Sequence, residues 1–214
     1  MSPLHLRRAA VAVSAAALLP MALTACSGDS KDSSSGSTAS AARTSPSAAA
    51  SESTDMNEPF GAACSSVPKD GAGSFAGMAK DPVATAASHN PALSTLVTAV
   101  KKAGLVDTLN NAQNITVFAP TDDAFAKIPQ ADLDKLLADK EQLTKVLTYH
   151  VVGRKLAPHQ LDKGSFATLA KSELTTSGSD LAYTVNDTSK VVCGNVPTAN
   201  ATVYIIDTVL MPPQ

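Results

Sequence analysis

The chain has no tryptophan, only three cysteines, and an aromatic content of 4% in 214 residues. With so few rings, the core is expected to be built from Leu, Val, Ile and Ala. Charge is modest as well, at 17% of residues with a formal net value of −2. Loss of a leader carrying Arg7 and Arg8 would bring that value to −4. No basic stripe runs along the chain, so the electrostatic footprint of nucleic-acid binding is missing. There is no Gly-x-Ser-x-Gly elbow, no His-Glu-x-x-His and no Gly-rich phosphate loop, which removes the legible signatures of hydrolase, zinc protease and nucleotide enzyme. Neither a cofactor nor a metal nor a catalytic residue is indicated.

What is present begins with a basic start, Arg7 and Arg8, followed by an apolar run over 9–23 that is too short to span a bilayer comfortably. Leu23-Thr24-Ala25-Cys26 ends it. Residues 1–25 read as a secretory signal, and the aliphatic-small-small-Cys ending resembles a bacterial lipobox, whose Cys thiol takes a diacylglycerol. Cys26 is then the lipidation site, with palmitate-type chains holding the protein to the outer face of the membrane, since each buried CH₂ contributes about 0.8 kcal/mol. The alternative is an ordinary cleaved signal with Cys26 incidental. Residues 26–60 form the lipidated cysteine and a Ser/Ala/Thr-rich tether without hydrophobic periodicity, a composition that cannot offset chain entropy.

From 61 to 214 the pattern is that of one folded domain. Asp81-Pro82 and Asn90-Pro91 each set a capping side chain before proline, as at the first turn of a helix. Leu93, Leu96, Val97 and Val100 make an amphipathic face that Gly104 closes. Residues 115–118 read as a strand ended by Pro120, Thr121 caps a short helix, and the apolar phase slips near Asp139 and Lys140, which predicts two helices there. Strand texture follows at 150–152, 166–169, 173–176, 181–185, 190–192 and 203–206. Helices first and strands later, without βαβ alternation, indicate an α+β fold.

Three stretches carry a family resemblance. Asn114-Ile115-Thr116-Val117-Phe118-Ala119-Pro120-Thr121-Asp122-Asp123-Ala124-Phe125 resembles the first block of fasciclin (FAS1) domains, Leu147-Thr148-Tyr149-His150-Val151-Val152 the family's Tyr-His motif, and 200–213 its second block. The cysteine placement is similar to that of secreted mycobacterial antigens of this family. The resemblance covers about 75–214 and implies a wedge-shaped twisted β-sandwich with helices packed along one side.

With Cys26 assigned to lipid, Cys64 and Cys193 remain as a pair that an exported domain would oxidise to a disulfide. A redox or metal pair is the alternative, against which stand the missing Cys-x-x-Cys and His cluster. The resemblance places His150 largely inside, either as a hydrogen-bonded structural residue or as a pH sensor. His89 and His159 fall at helix ends or loops. Asp122 and Asp123 suggest helix capping, with a paired-carboxylate role as the lesser reading. The function implied is a membrane-anchored binding or adhesion module making cell-surface or matrix contacts with a protein or carbohydrate, its contact surface near Asp123, Tyr149 and His150. Two other classes stay open: an envelope hydrolase assembled from distant segments, and a small-ligand carrier, which needs a sizeable apolar cavity.

Overall fold

The computed structural model describes residues 58–213. The leader over 1–25, Cys26 and the tether up to residue 57 lie outside the described residues.

The domain opens with a 3₁₀ turn, Ala62–Ser66, and seven helices follow among the described residues: α1 (Phe75–Met78), α2 (Val83–Ser88), α3 (Ser94–Ala103), α4 (Val106–Asn111), α5 (Asp122–Ala126), α6 (Gln130–Ala138) and α7 (Lys140–Tyr149). The strands are β1 (Ile115–Pro120), β2 (Val151–Val152), β3 (Lys163–Ala167), β4 (Glu173–Ser179), β5 (Ala182–Val185), β6 (Ser189–Pro197) and β7 (Ala201–Ile206). They form one sheet in the order β2-β1-β7-β6-β5-β4-β3, parallel only between β1 and β7. Two register shifts along β6 bend it, as bulges do. The far edges then meet: Val152 bridges Thr168, and the Leu169 N–H donates to Val151. The fold is α+β, with a mixed sheet that nearly closes on itself.

Alternation along β1 and β7 divides the interior into two cores. Ile115, Val117 and Ala119, with Ala201, Val203 and Ile205, face the helices. Phe118, Tyr204 and Ile206 face into the folded sheet, where they meet Phe166, Leu174 and Tyr183. Both faces are covered, so each strand is buried throughout.

Local signals account for several helix ends. Asn90 Oδ1 accepts from the Ala92 N–H, and Gly104, at φ 75°, ends α3 in the left-handed region that glycine tolerates. Asp139 closes α6 and caps α7, accepting from the N–H groups of Glu141 and Gln142, which is the phase slip at that position. Asp81 behaves otherwise. It pairs with His89 at 3.3 Å, and the first N–H groups of α2 go to Asn200 Oδ1 (2.8 Å) and Asn110 Oδ1 (3.0 Å). Strand β1 also runs on through Pro120. Phe118 donates toward the β2 side and Thr121 toward Ile206, so by alternation the missing N–H of Pro120 faces the side where β2 has already ended. Strands β4, β6 and β7 are longer than the runs read from sequence, and β3 begins earlier.

The N-terminal segment is fastened to β6. Phe60 exchanges two backbone hydrogen bonds with Gly194, where a Cβ would collide with the Phe60 ring, and Cys64 is disulfide-bonded to Cys193 across 129 positions. In the chain-entropy account a loop of that size is worth roughly 5 kcal/mol.

Candidate functional site

The three stretches singled out in the sequence converge. β1 lies between β2, which continues the Tyr-His motif, and β7, which holds the late block; Thr116 pairs with Val152 on one side and Thr202 on the other. The turn from α7 into β2 aims its two consecutive side chains into different cores. Tyr149 is 2% exposed; its hydroxyl donates to the Glu173 carbonyl at 2.9 Å and accepts from Asn186 Nδ2 at 2.9 Å. His150, also 2% exposed, lies 2.8 Å from the Val146 carbonyl through Nδ1, and its Nε2 accepts the Leu210 N–H at 2.9 Å. Nε2 as acceptor makes Nδ1 the protonated nitrogen, donating to Val146. Burial disfavours the imidazolium and lowers the pKa to about 4, against which the Val146 hydrogen bond works.

Of the three residues assigned to the contact surface, only Asp123 is exposed. Tyr149 and His150 are inside, so any part they have in contact is through positioning. Asp122 does cap a helix, but not its own. Its carboxylate accepts from Ser94 Oγ (2.6 Å) and the Thr95 N–H (2.8 Å) at the start of α3, while Thr121 caps α5. Partial burial raises the Asp122 pKa, and the hydrogen bonds from Ser94 and Thr95 outweigh it, leaving the net shift downward. His89 and His159 are exposed.

One feature of the interior is not directly legible in the sequence. Between α2, α3 and α4 and the helix-facing side of β1 and β7 lies an apolar cavity of about 210 Å³. Its signal was Val-Ala-Thr-Ala-Ala-Ser in α2: Ala84, Ala86 and Ala87 line the cavity and are too small to fill the space above Val117 and Val203. Asn200 holds this layer together: beyond capping α2, its Nδ2 group contacts the carbonyls of Leu109 (2.7 Å) and Ala112 (2.6 Å) at the end of α4. Among the described residues no group of three or more His, Cys, Asp or Glu is placed to hold a metal ion, and no helix is long and apolar enough to cross a membrane.

A nearly closed mixed sheet, helices on one face and a buried Tyr-His pair at the helix-to-strand turn define an α+β module of one structural class. The Fasciclin domain model matches residues 91–212, and the chain belongs to the fasciclin (FAS1) family. Over 148 residues it is 52% identical to the cell surface glycolipoprotein MPB83 of Mycobacterium bovis, covering 67% of this chain and 66% of that protein's length. It is 47% identical to the immunogenic protein MPB70 of the same species, covering 67% of this chain and 75% of that protein. The match to protein sll1483 of Synechocystis is 42% over 130 residues, or 60% of this chain and 72% of that protein. Among solved structures, a FAS1 domain pair from the insect cell adhesion molecule fasciclin I aligns with a TM-score of 0.52 at 20% identity. That alignment covers 63% of this chain and 52% of the other, a likeness of fold.

Proposed function

We propose that this protein is an envelope-displayed binding module, held at the outer face of the membrane by lipid on Cys26 and presenting its FAS1 domain to a protein or carbohydrate partner. The observation that carries this reading is the 52% identity to a protein named as a cell surface glycolipoprotein, alongside the lipobox-like Leu23-Thr24-Ala25-Cys26 of this chain. A binding role is favoured over hydrolysis by the state of His150, the one buried histidine among the described residues. Both of its ring nitrogens are engaged by backbone groups, leaving none to take a proton from a nucleophile. The exposed start of α5, with Asp123, is the part of the proposed contact surface that a partner can touch.

Intact mass of the membrane-extracted protein tests the anchor. A diacylglyceryl-modified N-terminus at Cys26 is expected, and an unmodified chain beginning elsewhere would rule it out. Release of Cys26→Ser into the medium is the matching cellular readout. For the partner, a glycan array and binding to immobilised envelope polymers are compared between the native chain and Asp123→Lys. Turnover of a defined envelope substrate would reverse the choice between binder and enzyme.

A further inference from the structure

The helix-facing cavity has the attributes of a ligand site. Its lining is predominantly aliphatic, with Leu96, Val100 and Leu147 opposite the small side chains of α2. Most polar groups on its wall already have partners. His150 is bonded at both nitrogens, Asn90 accepts from Ala92, and Thr198 exchanges hydrogen bonds with Ala201. A polar ligand would therefore lose most of its hydration for few replacement bonds, whereas an apolar one loses nothing. At about 210 Å³ the space is larger than the roughly 150 Å³ engineered cavity that takes up benzene. It is incompletely enclosed, and its lining includes one charged residue, Lys101, exposed near the end of α3 and in no ion pair among the described residues.

We infer that this cavity binds a single-chain anionic amphiphile of the fatty-acid class, its hydrocarbon chain among α2, α3 and the β1–β7 face and its carboxylate at Lys101. The apolar wall selects the chain and the lone ammonium at the rim selects the charged head. This is a ligand site inside the domain, separate from the surface offered to a macromolecular partner.

The test is calorimetric titration of the full chain carrying Cys26→Ser, so that no covalent acyl chain competes, with decanoic acid and with decanol at neutral pH. Saturable one-to-one binding of decanoate is expected, with the alcohol about fivefold weaker, in line with a partly exposed ion pair. Lys101→Glu should weaken decanoate by about fivefold and leave decanol unchanged. Ala87→Leu and Val97→Phe, which fill the cavity from partly exposed positions, should each reduce binding by more than about tenfold while holding or raising Tm. Should one of these fail to fold, the other, checked by circular dichroism, decides. The absence of saturable binding overturns the proposal, as does undiminished binding in a folded filling variant. Equal affinity for acid and alcohol overturns the assignment of Lys101 to the head group.

Discussion

The two cores of this domain are built from different materials. The inner one, within the folded sheet, holds Phe118, Tyr149, Phe166, Tyr183 and Tyr204, with Phe60 against its rim, whereas the helix-facing one has only Phe125 and, at its margin, Phe75. In a chain with five Phe and three Tyr, the large rings are therefore concentrated where strands converge. Phe118 stacks on Tyr204 at 5.7 Å, and Phe60 meets Tyr183 edge-on at 5.7 Å. Two hydroxyls are bonded, Tyr204 donating to Leu156 and Tyr149 to Glu173, each at 2.9 Å, and Tyr183, raised to about 12 first by burial and then by the Asp162 carboxylate, stays protonated at any ordinary pH. The helical layer is aliphatic and retains the cavity. Its order depends on polar side chains that tie helix ends together, Asn200 between α2 and α4 and Asp122 between α5 and α3. Scarce aromatics can pack one core densely, and the other is then held by caps.

Matched truncations give the largest expected effect. Leu174→Ala in the inner core should destabilise by about 4 kcal/mol, and Leu96→Ala, beside a cavity into which neighbours can already relax, by only about 2.5 kcal/mol. Urea unfolding of both measures the gap, and a reversed order would break the comparison. Next comes pH, through His150 at the seam. Unfolded, this imidazole binds a proton below about 6.5; folded, it resists until about 4. Between these values the unfolded chain holds more protons, so stability is complete above pH 6.5 and falls by about 3 kcal/mol as pH drops toward 4. His150→Gln should flatten that window in denaturation curves taken across it. Smaller is Asn200→Ala, which leaves buried N–H and carbonyl groups of α2 and α4 unpartnered and should cost about 2 kcal/mol. Hydrogen exchange should quicken in α2 and α4 while the inner strands stay protected. Least is Asp122→Ala, about 1 kcal/mol for a lost cap, read as a small fall in Tm.

Much of the framework is legible in the sequence. The face of α3 with its Gly104 stop, the break at Asp139 and the α+β order follow from period and cap chemistry, which act over a few residues. The Asp81 assignment failed for an equally physical reason. Side chains from residues 110 and 200 supply the acceptors at α2, and chain distance hides such partners. Pro120 shows the same: whether a strand tolerates proline depends on which neighbour lies on its N–H side.

By itself the sequence determined most of the elements and the family resemblance, and with only two cysteines in the domain it favoured the pairing of Cys64 with Cys193. Tertiary structure decided what those elements enclose. It put Tyr149 and His150 inside and left Asp123 out. It sent the rings to one core and a run of alanines over the other, and so opened a cavity beside Lys101. Volume left between helices and a sheet is a property of how faces meet, and no single segment contains it.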